Sequence, residues 1–266
     1  MLTFVHIAHF IVRMVNKTTD VIASLAKGLQ VIECFGAETP RLTITDVARR
    51  TGLDRATARR CLLTLHHQGY ADYDGKFFTP TPNILRLGMG ALAALPLPQI
   101  VQPWLDHLSE QIGASTSVSI LDETEIVYLA RAAQKRVMSI GLMPGSRLPA
   151  HCTSMGRVLL AALPEDAARA LIERSDLSPR TPRSLTAPGD IKAELDRVRI
   201  QGFAIIDQEV ELGLRSIAVP LYNAQGAVVA ALNTGVSAVQ EDAADLKALY
   251  LNALRQTQAG LQRVLF

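Results

Sequence analysis

Two kinds of periodicity divide this chain and predict an α+β protein in two parts. Up to about residue 80, apolar positions recur at three- and four-residue intervals in three short runs, and two strand-like segments joined by a turn come after them. From Gln99 onward, alternating apolar and polar runs interleave with amphipathic helical runs, as in an α+β domain. Between these parts, Pro82 to Leu95 carries one charge, Arg86, and is apolar on more than one face, so it must be buried as a helix. The expected plan is an unassigned arm over 1–20, a small helical domain over 21–81, a linker helix over 82–98 and a larger domain over 99–266.

Composition narrows the function classes. A chain of 266 residues with 48% hydrophobic residues has ample core for two domains. The formal net charge is only +2, so any nucleic-acid surface must be local. Cys34, Cys61 and Cys152 are far apart and odd in number, which fits a reducing, cytoplasmic setting better than a disulfide framework. There is no Cys-x-x-Cys or His-x-x-x-His pair, and the adjacent His66 and His67 would point about 100° apart on a helix. Neither metal nor cofactor is expected. Met1 to Met14 is apolar but too short to span a bilayer, and it lacks a basic start and a small-residue cleavage site. The favoured reading is a frayed arm or an over-extended translation start, with no function assigned.

The first domain begins with a helix carrying Leu25, Gly28, Leu29, Ile32 and Phe35, capped by Ser24 and ended by Gly36. A second helix runs from about Thr45, its expected N-cap, to Arg50. Gly52 supplies a turn, and Asp54 caps a third helix whose inner side carries Ala58, Cys61, Leu62 and Leu65. A Gly in the turn between two such helices marks a helix-turn-helix. After Gly69, Tyr70 to Thr79 reads as a hairpin with a primed turn at Asp74-Gly75, which makes the whole a winged helix-turn-helix with Lys76 at the wing tip. Arg55, Thr57, Arg59, Arg60, Thr64 and Lys76 are the candidate DNA-binding residues. Arginine can fork onto guanine O6 and N7, and threonine can meet phosphate or a thymine methyl. The plainer reading of any one of these charges is a solvated helix face. Tyr70, Tyr73 and Phe77 read as packing under the wing rather than as base-stacking residues.

In the second domain, a helix around Trp104 and Leu108 precedes strands at Ser115 to Leu121, Ile126 to Arg131 and Val137 to Leu142. Helices come next at Ser154 to Leu163, Pro164 to Arg174 and Asp190 to Gln201, then strands at Phe203 to Ile206, Arg215 to Pro220 and Ala227 to Thr234, and a long helix over Glu241 to Val264. Strands with helices at one face describe a sensor of the kind GAF domains resemble. His151-Cys152 invites comparison with a thiol enzyme, and Asp207, Glu209 and Glu211 with an acid-base cluster. No third catalytic member and no nucleophile-elbow, Walker or dinucleotide fingerprint accompanies them, so no enzyme is expected.

Several stretches together resemble bacterial regulators of the IclR type. They are Ser24-Leu-Ala-Lys-Gly-Leu, the Thr51-Gly-Leu turn, Arg60-Cys-Leu-Leu-Thr-Leu, Gly69-Tyr, Pro149 to Ala161, Asp207 to Pro220 and Ala230-Ala-Leu-Asn. Pro40-Arg-Leu-Thr, Arg59-Arg60, Ser139 to Leu148 and Thr153 to Arg157 look most like the PcaR, PcaU and PobR branch, which regulates aromatic-acid catabolism through the β-ketoadipate pathway. The resemblance implies a ligand-responsive DNA-binding transcriptional regulator, homo-oligomeric as a dimer or tetramer, in which Arg60 mainly positions the DNA backbone. It also implies an effector site at Val137, Ile140, Leu148, Thr153, Ser154, Met155, Arg215, Ser216 and Asn233, where a small organic or aromatic acid would bind. Arg131, Arg136, Arg147 and Arg215 are the candidate carboxylate partners. The alternatives are a regulator of another carboxylate pathway, a ligand-free DNA-binding structural protein, or an enzyme.

Overall fold

The structure, a computed structural model, describes residues 21–36, 39–87, 96–134 and 141–265. The arm over 1–20, residues 88–95 of the linker helix expected over 82–98, and residues 137–140 of the strand expected at Val137 to Leu142 lie outside them; Gly141 and Leu142, the described end of that strand, are not in a strand. The described residues fall into two compact units, 21–87 and 96–265.

The N-terminal unit contains α1 (Ala23–Glu33), α2 (Ile44–Thr51), α3 (Arg55–His67), β1 (Ala71–Tyr73), β2 (Phe78–Pro80) and a 3-10 turn at Pro82–Ile84. Ser24 does not cap α1, which is entered from Ile22 without a side-chain cap. Thr43, not Thr45, caps α2. Its hydroxyl accepts the Asp46 N–H at 3.2 Å while Asp46 accepts the Thr43 N–H at 3.1 Å, a reciprocal capping box. Gly52 ends α2 at φ +70°, and the Asp54 carboxylate caps α3 by accepting the Thr57 N–H at 2.9 Å. Val31, Val47, Leu62 and Phe78 centre the core between the three helices and the hairpin. Leu63 also packs partly against that core. In the hairpin, the Asp74 N–H donates to the Phe77 carbonyl at 3.2 Å, so the chain reverses over Gly75 and Lys76, one residue later than the expected turn. Asp74 Oδ1 accepts the N–H groups of Lys76 and Phe77 and locks that reversal.

The C-terminal unit begins with α4 (Pro96–Ile112), so Pro96 and Pro98 open a helix instead of closing a linker. A proline in a first turn forgoes an N–H that has no helical partner there. Six antiparallel strands form one sheet in the order β5-β4-β3-β8-β7-β6. They are β3 (Ser115–Asp122), β4 (Glu125–Ala132), β5 (Arg147–Pro149), β6 (Ala204–Asp207), β7 (Leu214–Tyr222) and β8 (Val228–Ser237). The remaining helices are α5 (Ser154–Ala161), α6 (Glu165–Arg174), α7 (Pro188–Gln201) and α8 (Leu246–Gln262).

Helices cover both faces of the sheet, not one. The reason lies in β7, where Ile217, Val219 and Leu221 are apolar on one face and Leu214 and Ala218 on the other. One set packs with α4 and α8, the other with α5 and α7. Strand register decides which side chains reach each face. Ser119 faces Tyr128 and Val118 faces Ala130, which leaves Leu129 as a β-bulge in β4.

Candidate effector pocket and DNA-binding surface

The start of α5 is built by its own sequence. The Thr153 hydroxyl caps the helix by accepting the Gly156 N–H at 3.1 Å. Gly156 lies so close to the preceding loop that an added Cβ would meet the Ala150 carbonyl oxygen at 2.2 Å. Thr153, Ser154 and Met155 therefore sit over the sheet as one short roof.

Beneath that roof, alternation selects the floor. Ser117 and Ser119 on β3 point toward α5, since Ser119 donates to Met155 Sδ at 3.2 Å and Ser117 accepts from Arg131 Nη1 at 3.0 Å. Uninterrupted alternation along β4 from Ile126 and Tyr128 would bring Ala130 to this face. The bulge at Leu129 brings Arg131 instead and sends Ala130 and Ala132 to the opposite core. On β8 and β7 the same face carries Asn233 and Ser216. Ser154 and Ser216 share a hydrogen bond of 2.8 Å across the gap. The result is a cavity of about 30 Å³ lined by Tyr128, Arg131, Leu142, Leu148, Thr153, Ser154, Met155, Val210, Leu214, Ser216, Asn233 and Gly235.

The chemistry of this lining is asymmetric. Arg131, half-buried, has no carboxylate partner among the described residues, although burial pushes its guanidinium below its ordinary value. Arginine stays charged through such a shift. Asn233 is buried, and its Oδ1 has no hydrogen-bond partner. Burial pushes the Tyr128 phenol up to about 12, so it remains protonated. A cation, an unmet acceptor and several hydroxyls face an otherwise apolar space, a donor set suited to a small acid.

Leu148, Thr153, Ser154, Met155, Ser216 and Asn233 thus come together as expected positions of one cavity. Val137, Ile140 and Arg136 lie outside the described residues. Arg215 does not line the cavity. It neighbours Ser216 on a strand, so the two must face opposite ways, and it binds Asp207 at 2.6 Å, Asp242 at 3.2 Å and the carbonyls of Ala238 and Glu241. Arg147 is likewise structural, bridging Asp122 and Glu125 at the first hairpin. Of the four arginines, Arg131 alone reaches the described lining. Tyr128, Leu142, Val210, Leu214 and Gly235 were not expected. Val210 and Leu214 belong to the motif that supplied Ser216, whereas Tyr128 and Arg131 share a face only because of the bulge.

Behind the roof, Arg157 is almost wholly buried. It donates to the His151 carbonyl at 2.9 Å and to Glu209 at 2.6 Å, tying α5 to the segment that carries Val210. His151 and Cys152 form no catalytic pair. Neither ring nitrogen of His151 has a partner, the Cys152 thiol points to the Pro149 carbonyl, and burial pushes that thiol up to about 11. Among the described residues no cluster of His, Cys, Asp or Glu could hold a metal ion, and no helix is long and apolar enough to cross a membrane.

In the N-terminal unit, Arg55, Arg59, Arg60 and Thr64 are exposed along α3, Thr57 is half-exposed at its start, and Lys76 is exposed at the wing tip. Thr64 donates to the Arg60 carbonyl at 2.8 Å, so its hydroxyl is left mainly as an acceptor.

Two family models match, in the order of the two units. Residues 24–75 match the IclR helix-turn-helix domain and residues 89–262 the bacterial transcriptional regulator IclR C-terminal domain. The chain belongs to the IclR family. IclR proteins are transcriptional regulators rather than enzymes, and a helix-turn-helix at the N-terminus gives this member a DNA-binding unit. It is 42% identical to the Pca regulon regulatory protein of Pseudomonas putida over 93% of this chain and 85% of that one. It is also 42% identical to the p-hydroxybenzoate hydroxylase transcriptional activator of Acinetobacter baylyi, over 82% of each. Among solved IclR structures, the inducer-binding domain of an Acinetobacter PobR double mutant, complexed with 3-hydroxybenzoic acid, superimposes with a TM-score of 0.60 at 35% identity. It covers 63% of this chain and 98% of that one.

Proposed function

We propose that this IclR regulator controls aromatic-acid catabolism genes from the cytoplasm as a homo-oligomer, and that its effector is a small aromatic acid bound in the cavity beneath α5. The observation that carries this reading is Arg131, which stands on the cavity floor without a carboxylate partner among the described residues, in one cross-strand row with Ser117 and Asn233. A carboxylate would pair with Arg131, and a ring hydroxyl would donate to Asn233 Oδ1 or exchange with Ser154 and Ser216. Leu142, Leu148, Met155 and Val210 supply apolar walls. The relatives' names support an aromatic acid over other carboxylates. Arg55, Thr57, Arg59, Arg60, Thr64 and Lys76 would contact operator DNA, and a dimer would set two recognition helices about one helical turn of DNA apart, or a multiple of it.

The test is calorimetric titration with protocatechuate, 4-hydroxybenzoate and β-ketoadipate. The expected result is binding of an aromatic acid, lost in Ser154→Trp, which fills the cavity, and weakened about tenfold or more in Arg131→Met, since a charged hydrogen bond contributes roughly 1.5–3 kcal/mol. Unaltered affinity in Ser154→Trp would sink the pocket assignment. Binding of β-ketoadipate alone would favour a regulator tuned to a non-aromatic carboxylate.

A further inference from the structure

We propose that Arg41, held against Phe77 together with Lys76, forms a second DNA-backbone contact outside the helix-turn-helix. The inference rests on the DNA-binding reading of this unit and adds a site to it. Leu42 and Phe78 exchange both backbone hydrogen bonds, at 3.0 and 2.8 Å, and both side chains are buried in the core. Alternation then turns their neighbours, Arg41 and Phe77, to the outer face of the small wing sheet. There the Arg41 guanidinium lies 4.6 Å from the centroid of the Phe77 ring, and Lys76 Nζ lies 5.1 Å from the same centroid. Both cations are exposed.

Among the described residues of this unit the ion pair is Arg49 with Asp46, and neither Arg41 nor Lys76 is paired with a carboxylate at ion-pair distance. The wing carries two acids, Asp72 on β1 and Asp74; Asp74 accepts the N–H groups of Lys76 and Phe77 through Oδ1, and its charge also interacts with that of Arg41 without forming an ion pair. Two like charges gathered on one ring repel each other, and the ring face offsets that by attracting both. Holding two long side chains in place beforehand reduces the rotamer entropy lost when a partner binds. The partner must be a polyanion with regularly spaced charge. The phosphodiester backbone of the duplex engaged by α3 has that character, and phosphate contacts of this kind fix orientation without reading bases.

The experiment measures binding of the full chain to a mixed-sequence duplex of about 30 base pairs, by fluorescence anisotropy between about 50 and 200 mM salt. Each phosphate contact contributes about −0.9 to the slope of log affinity against log salt. Arg41→Ala is therefore expected to flatten the slope by about one unit, so that its affinity falls about threefold less than wild type across that range. Arg41→Lys should keep the slope. Phe77→Leu retains both charges and should also keep it, while weakening binding at every salt concentration. Melting curves confirm that each variant is folded. A wild-type slope in Arg41→Ala, with a flattened slope in Arg60→Ala, overturns the wing contact and leaves DNA binding through α3 intact. No binding by the wild-type chain even at low salt removes both.

Discussion

A methyl group has no place on Gly156. Built there, it would lie 2.2 Å from the Ala150 oxygen and 2.4 Å from the Ala150 Cα, both backbone atoms that cannot swing aside. Gly156→Ala should cost about 1–3 kcal/mol, the usual range for overpacking, and should loosen the Thr153–Met155 roof. Chemical denaturation measures the first effect, and a wild-type midpoint would contradict it. At this scale the sequence is informative in a selective way. The small residues of Thr153 to Gly156 point to close approach of the chain, and they lie at the cavity. The family motif draws both Arg215 and Ser216 to the pocket, although adjacent residues in a strand cannot share a face. Ser216 lines the cavity, and Arg215 ties β6, β7 and the segment after β8 together.

At the scale of elements, the choice between Thr43 and Thr45 as the cap of α2 shows where reading stops. Both are good N-cap residues. Only Thr43 has an acid three residues on, Asp46, and its short side chain completes the reciprocal bonds. Thr43→Ala should destabilise the N-terminal unit by about 1 kcal/mol, seen as an earlier loss of helical ellipticity on heating. An unchanged melt would show that packing, not the cap, holds α2. Long periodic segments such as α3, α7 and the strands β7 and β8 are legible because their apolar faces repeat. β5 is not, because three residues ending in Pro149 carry no period and gain their strand geometry from pairing with β4. Coverage of both sheet faces escapes a reading that takes the apolar strands of the second half as a one-sided sheet.

For the whole molecule, protonation should act in two stages. His151 is buried without a ring-nitrogen partner, and burial above all holds its pKa below the ordinary value near 6.5. A group lowered on folding stabilises the native state above its unfolded pKa, so stability should begin to fall as pH drops below about 6.5. Asp46, Asp54 and Asp74 are also lowered, chiefly by hydrogen bonds from Thr43, Thr57 and Phe77. Their contribution is present above about pH 4 and lost as pH falls through the lowered values. Thermal midpoints taken from about pH 8 to pH 2 should show both declines, with the first absent in His151→Phe. A flat profile between about pH 7 and 5 would contradict the role given to His151. Size matters at this scale too. A cavity of about 30 Å³ has room for about one water, so an aromatic acid must displace wall side chains to enter. Binding is therefore coupled to rearrangement of the wall, and an effector changes DNA affinity only so far as it favours one arrangement over another.

Leu129 has no counterpart on the neighbouring strand. Losing this one residue would remove the bulge without exchanging the faces on either side of it. With Leu129 gone, Ala130 would follow Tyr128 directly and still pair with Val118, and Arg131 would still pair with Ser117 on the cavity floor. The cavity floor of this domain should therefore tolerate a single-codon deletion at the bulge, since Arg131 keeps its face whether or not Leu129 is present. Relatives should be compared for strand length at this point as closely as for residue identity.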